Sequence, residues 1–155
     1  MADRSFIQEN EAARSELSEL IACLDERSFG RPVGSEWTIA TSLCHLAFWD
    51  RRVLFLLREW ERTGCVDTSR LGSQSIDSIN HAVNAISRAV EGPAAAELAL
   101  TSALAVDSHG AALREELVDQ LRSAGFERLL RRCLHRREYL RQIMQALQGQ
   151  TGATT

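Results

Sequence analysis

The stretch Trp37-Thr38-Ile39-Ala40-Thr41-Ser42-Leu43-Cys44-His45-Leu46-Ala47-Phe48-Trp49-Asp50 decides the fold. Thr38 supplies the hydroxyl of an N-cap, and Ile39, Leu43 and Leu46 follow at helical spacing. The stripe continues through Val53, Leu57 and Trp60, which predicts one helix from about Thr38 to Glu61, ended at Thr63-Gly64. Phe48, Trp49, Phe55 and Leu56 widen the apolar surface past a single stripe. A helix apolar on that much of its circumference has neighbours on several sides or a partner chain.

The same period runs outward in both directions. Upstream, Ser5 to Leu24 reads as a helix with Phe6, Ala13, Leu17, Leu20, Ile21 and Leu24 on one face, and Ser5 with Gln8 has capping-box spacing. Gly30, Pro32 and Gly34 make the loop between the two helices. Downstream, Ile76, Ile79, Val83, Ile86 and Val90 predict a third helix, with Ile79, Val83 and Ile86 buried against the first, second and last. Gly92-Pro93 stops it and opens an Ala- and Leu-rich helix from Ala94 to about Ser108. Gly110 is a kink or an end, and Ala111–Arg122 reads as a short extra helix. A last helix is expected from Phe126 to about Leu147. No segment keeps period two, and no repeat, phosphate loop or dinucleotide fingerprint is present. The expected architecture is all-α, a four-helix bundle with a short extra helix, forming one domain over 1–148 and ending in a flexible tail, 149–155.

Composition suits that fold. The chain has 155 residues, 45% of them hydrophobic and only 2 of them proline, which is enough for one core and too apolar for disorder. A net charge of −3 gives no general attraction to nucleic acid or an anionic membrane. All 18 basic residues are arginine, which reads as codon bias. Cys23, Cys44, Cys65 and Cys133 contain no Cys-x-x-Cys pair, Met1–Asn10 does not read as a signal peptide, and no apolar run reaches membrane-spanning length. The expectation is a cytoplasmic protein with reduced, mostly buried thiols.

Four histidines carry the question of chemistry. His45 falls at the margin of its helix's apolar face, where it reads either as a core-edge histidine bonded to a backbone carbonyl or as a ligand opening to solvent. His135 stacks four residues before Tyr139 on one helix face, at a boundary between core and surface. His109 can also face inward, whereas His81 lies opposite the Ile79 stripe and reads as exposed. Arg128, Arg131, Arg132, Arg136, Arg137 and Arg141 form either a solvated helix face or a carboxylate-binding cluster. Cys44 and His45 diverge by about 100° on a helix, so they do not ligate together.

The segment "HLAFWDRR" (45–52) resembles the second-helix motif of the DinB-like metal-binding bundles. That superfamily includes the N-terminal domain of mycothiol-dependent maleylpyruvate isomerases. "HRREYLRQIMQAL" (135–147) resembles its last helix, which often carries His-x-x-x-His, and "IDSIN" (76–80) also fits. The resemblance implies one divalent metal, zinc or nickel, held by His45, His135 and Tyr139, with His109 as a possible substitute. Tyr139 departs from the pattern by standing where a histidine is usual, which weakens the site. Tyr139→His is therefore expected to restore divalent binding.

The implied activity is a metal-dependent transferase or isomerase linked to a low-molecular-weight thiol, with Arg132, Arg136 and Trp49 contacting a small-molecule substrate. The chain ends just after its last helix, an expectation that counts against maleylpyruvate isomerase itself. The alternative is a non-enzymatic dimeric bundle that binds a small molecule or a protein, with a homodimer interface around Trp49, Phe55 and Trp60.

Overall fold

The computed structural model describes residues 3–71 and 75–149, and the tail expected over 149–155 lies, apart from Gly149, outside the described residues. Four long helices make the bundle: α1 (Phe6–Ala22), α2 (Ile39–Thr63), α4 (Gly92–Ala112) and α6 (Arg132–Gln148). Two shorter ones, α3 (Ile76–Ser87) and α5 (Glu115–Ser123), lie in the connections. The α1–α2 loop carries a minimal antiparallel bridge that the sequence did not signal, β1 (Pro32–Val33) on β2 (Trp37–Thr38).

Pairings along the helices fix their directions. Arg51 with Ser102, then Arg114 with the Glu61 carbonyl, run α2 and α4 parallel. Asn10 with Cys133, then Glu16 with Arg137, run α1 and α6 parallel. His45–His135 followed by Asp50–Arg132, and Arg4 with the Ala111 carbonyl followed by Arg14–Asp107, set those two pairs antiparallel to each other. A parallel α2–α4 pair requires a crossover, and α3 occupies it.

That topology overturns the expectation for α3. Its stripe is not buried by three helices: α3 packs mainly on α2, Ile86 is 74% exposed, Ile76 is 60% exposed, and Ile79 and Val83 are half-buried. The residues α3 buries are Asn84, which donates to the Glu36 carbonyl, and Ser87. The third helix of the bundle is α4 instead. It begins with Pro93 in its first turn and continues past Gly110 to Ala112.

Local signals explain most helix ends. Thr38 and Thr41 form a reciprocal capping box at α2, and Gly64 closes it with φ 74°, a left-handed conformation that glycine adopts without a Cβ penalty. At α1 the capping box through Ser5 does not form, because Asp3 accepts from both the backbone N–H and the hydroxyl of Ser5. The last helix is broken where one continuous helix was expected. A 3-10 turn, Glu127–Leu129, precedes α6. Asn10 of α1 bridges the break, donating to the Leu130 carbonyl at 2.7 Å and accepting from the Cys133 N–H at 2.8 Å.

The core divides into two apolar clusters. One gathers Leu17, Ile39, Leu43, Leu46, Ala99, Leu140 and Ile143, and the other Phe6, Val53, Leu57, Trp60, Val106, Leu117 and Leu121. Between them lies a polar layer of Asn10, Asp50, Asp107 and Arg136, all buried. Cys44 and Cys133 are buried as expected, but Cys23 and Cys65 are exposed, and no disulfide joins the four. Trp60 is consumed by the core, leaving Phe48 and Phe55 as the exposed aromatics of α2. Among the described residues, no helix is long and apolar enough to cross a membrane.

Candidate functional site

The antiparallel crossing of α2 and α6 brings His45 and His135 together, with Nε2 atoms 3.3 Å apart. His45 is only 2% exposed, so it sits deeper than a margin position implies. Its ring stacks on Tyr139 at 4.4 Å between centroids and meets Trp37 at right angles at 5.2 Å. No backbone carbonyl receives its Nδ1, which is buried without a partner.

Arg132 connects this pair to the polar layer. Its Nε donates to Asp50 at 2.8 Å, and its terminal NH2 lies 3.1 Å from His135 Nδ1. Asp50 also accepts from Arg136 at 3.1 and 3.2 Å, and Asp107 accepts from Arg136 and from Arg14. Burial works against the Arg136 charge, yet Asp50 and Asp107 hold its pKa above the ordinary value. Three guanidiniums thus share two carboxylates.

Arg136 corrects an expectation. It was a candidate for substrate contact, but it is 0% exposed and occupied by Asp50, Asp107 and two backbone carbonyls. It is the hub of the polar layer. Most of the other arginines of the 128–141 cluster are also engaged. Arg131 pairs with Glu9 and Glu127, Arg137 with Glu16, and Arg128 lies 3.9 Å from Glu138. His109 lies beside Glu61 at 3.3 Å, sixteen residues along α2 from His45, or about 24 Å at 1.5 Å per residue. His81 is exposed, as expected, near Glu36.

Above the histidines opens a cavity of about 560 Å³, within the range of small-molecule sites. Its floor is His45, His135, Arg132 and Tyr139. Trp49, Phe126, Leu129, Ile76 and Ile79 wall it, and Arg52, Arg128, Asn80 and Glu138 stand around it. Trp49 and Arg132, the other two residues expected to contact a substrate, both line this cavity. Trp49 Nε1 donates to Asn80 Oδ1 at 3.1 Å, which commits the amide oxygen, and Arg52 lies over the Trp49 ring at 5.4 Å. Of the α3 stripe, Ile76 and Ile79 thus line the cavity.

Protonation follows from burial. Burial foremost, then Arg132, lowers His45 to about 4. Burial, then Arg132, His45, Arg128 and Arg136, lowers His135 to about 2. Burial and the neighbouring Glu138 raise Tyr139, so it stays a neutral phenol at pH 7.

These residues fit a metal poorly. Two imidazole nitrogens sharing a tetrahedral zinc, each about 2.05 Å from it, stand about 3.4 Å apart, so the 3.3 Å separation suits a shared cation as well as a hydrogen bond. Everything around the pair points the other way. Tyr139 is a phenol whose ionisation the site opposes. Among the described residues no three His, Cys, Asp or Glu side chains converge as a ligand group. Ligating histidines present their second N–H to an acceptor, whereas His135 Nδ1 faces a guanidinium, which has no lone pair to offer.

Asp50, Asp107 and Asn10 were missed in the sequence. Asp50 carried a signal, since a carboxylate seven residues after Leu43 and three before Val53 falls inside the apolar stripe.

The family model described as the DinB superfamily matches residues 9–149, which is most of the chain, and the chain belongs to that superfamily. No curated protein and no solved structure matches it significantly.

Proposed function

We propose that this member of the DinB superfamily uses the cavity between α2, α3 and α6 to bind a small organic acid without a metal. The observation that supports this reading is the polarity of the lining. Arg132, Arg128, Arg52, the Asn80 amide and the Tyr139 phenol are all donors, and Glu138 is the one carboxylate among them. A donor-rich floor beneath apolar walls suits a ligand with a carboxylate at one end and an apolar body at the other. Both histidines are neutral and low in basicity, so neither acts as a base near pH 7.

The metal-dependent, thiol-linked transferase or isomerase is the second reading, favoured by the 3.3 Å separation of the Nε2 atoms. It requires Arg132 to leave His135 and Tyr139 to be replaced by water or ionised.

Calorimetric titration of 4-phenylbutyrate and octanoate into chelator-treated protein tests the first reading, with the matching primary amides as controls. At least one acid should bind, with its amide weaker by about tenfold or more, the loss expected when a charge-assisted bond is removed. Arg128→Gln should weaken the acid and leave the amide unchanged. Equal binding of acid and amide, or binding only after zinc or nickel is added, overturns it.

A further inference from the structure

We infer that Arg132 is the residue that decides what this pocket accepts, because its guanidinium locks the two histidines into the one pair of tautomers that excludes a shared cation. The lock follows from donor and acceptor counting. A guanidinium only donates, so the 3.1 Å contact makes His135 Nδ1 the acceptor. Neutral His135 must then carry its proton on Nε2. That proton points at His45 Nε2, 3.3 Å away, which must accept it. His45 therefore carries its own proton on Nδ1. The reverse arrangement would leave His135 without a proton on either nitrogen. The result is a one-way chain, from Arg132 to His135 to His45, held at its origin by the buried Asp50 carboxylate.

A cation needs the opposite pattern. Both Nε2 lone pairs must face it, so both protons must sit on Nδ1, and at His135 that proton would meet the Arg132 guanidinium. Tyr139 is thus not the main obstacle to metal binding. Replacing it supplies a third ligand while the second stays protonated on the wrong nitrogen. The same guanidinium that blocks a cation presents positive charge to the cavity floor, so one side chain sets both preferences. This rests on the acid-binding reading for its meaning in function, but the tautomers can be read with no ligand present.

Long-range proton–nitrogen correlation spectra of the imidazoles in the metal-free wild-type protein read the lock directly. They should show His135 protonated at Nε2 and His45 protonated at Nδ1. His135 protonated at Nδ1 overturns the inference, and this reading needs no variant. Zinc titrations of the wild type, Tyr139→His, Arg132→Gln and the double variant then test its consequence. Outer partners of ligating histidines are worth about 10–100-fold in metal affinity. Arg132→Gln should therefore gain at least about tenfold over the wild type and the double variant more, whereas Tyr139→His alone gains less. Arg132→Lys, which keeps a donor and a charge, should keep the wild-type tautomers and weak zinc binding. Tight zinc binding by Tyr139→His with Arg132 in place overturns the inference. Failure of every acid to bind, with the tautomers as stated, counts against the proposed ligand and not against the lock.

Discussion

Asp50→Asn removes the charge that holds the polar layer together, and its cost can be worked from the structure. The Asp50 side chain is 1% exposed and accepts three guanidinium hydrogen bonds, from Arg132 Nε at 2.8 Å and from Arg136 at 3.1 and 3.2 Å. Asparagine keeps the shape but loses the charge, and its NH2 faces donors. Arg136 and Arg14 then share Asp107, and Arg132 loses its only carboxylate partner among the described residues. Breaking a buried pair by removing one partner costs about 3–5 kcal/mol. For a chain of this length that is a drop of about 10 °C in midpoint, and a large part of the roughly 5–15 kcal/mol that stabilises a typical domain. Urea unfolding followed by circular dichroism reads it. The midpoint should fall at an unchanged m-value, and the imidazole spectra should lose the single tautomer pair as Arg132 is released. A loss under about 1 kcal/mol with the tautomers intact would refute the reasoning, since the layer would then be ornament between two self-sufficient cores.

Acid should weaken the fold through the histidines. His45 and His135 sit at about 4 and about 2, against an ordinary 6.5, so between pH 6.5 and 5 the unfolded chain takes up protons that the folded chain refuses. Stability is fully present above 6.5 and falls with pH by about 1.4 kcal/mol per unit for each histidine. Urea midpoints from pH 7 to 5 should decline, His135→Gln should flatten the decline, and a flat wild-type profile contradicts the burial. Gly92→Ala should destabilise by about 1–3 kcal/mol, because a Cβ at Gly92 would stand 2.6 Å from Phe29 Cβ and inside its ring; a change below about 0.5 kcal/mol in thermal unfolding means Phe29 moves aside freely. Phe48 and Phe55 are the surface left for the expected homodimer, Phe55 being 60% exposed. Light scattering should then give twice 17.3 kDa for the wild type and 17.3 kDa for Phe55→Arg, and a monomeric wild type removes that proposal.

Helical period and caps were legible from residues alone. Thr38, Gly64 and the Ile39–Trp60 stripe fall where the sequence puts them, because those signals are local. The role of α3 was not legible. Its spacing is that of a bundle helix, but spacing says only that a face is apolar, and in the crossover needed by parallel α2 and α4 that face lines a cavity at Ile76 and Ile79 and leaves Ile86 exposed. The break before α6 depends on Asn10, far away in sequence, so no local pattern announces it. At the site, the meeting of His45 and His135 was expected through a family resemblance. The fate of Arg136 was hidden because an arginine on an Arg-rich helix looks solvated until two carboxylates from other helices close on it.

Fluorescence of Trp49, which lines the cavity, compares the two ligand classes in one protein. Chelator-treated wild type is titrated with 4-phenylbutyrate and, separately, with zinc, and a Trp49→Phe control isolates the cavity signal from Trp37 and Trp60. A metal-independent acid site predicts a saturable change with the acid at millimolar concentrations or below, unaltered by added zinc, and no saturable change with zinc alone. Saturation by zinc at micromolar concentration, with the acid silent until zinc is present, would contradict it.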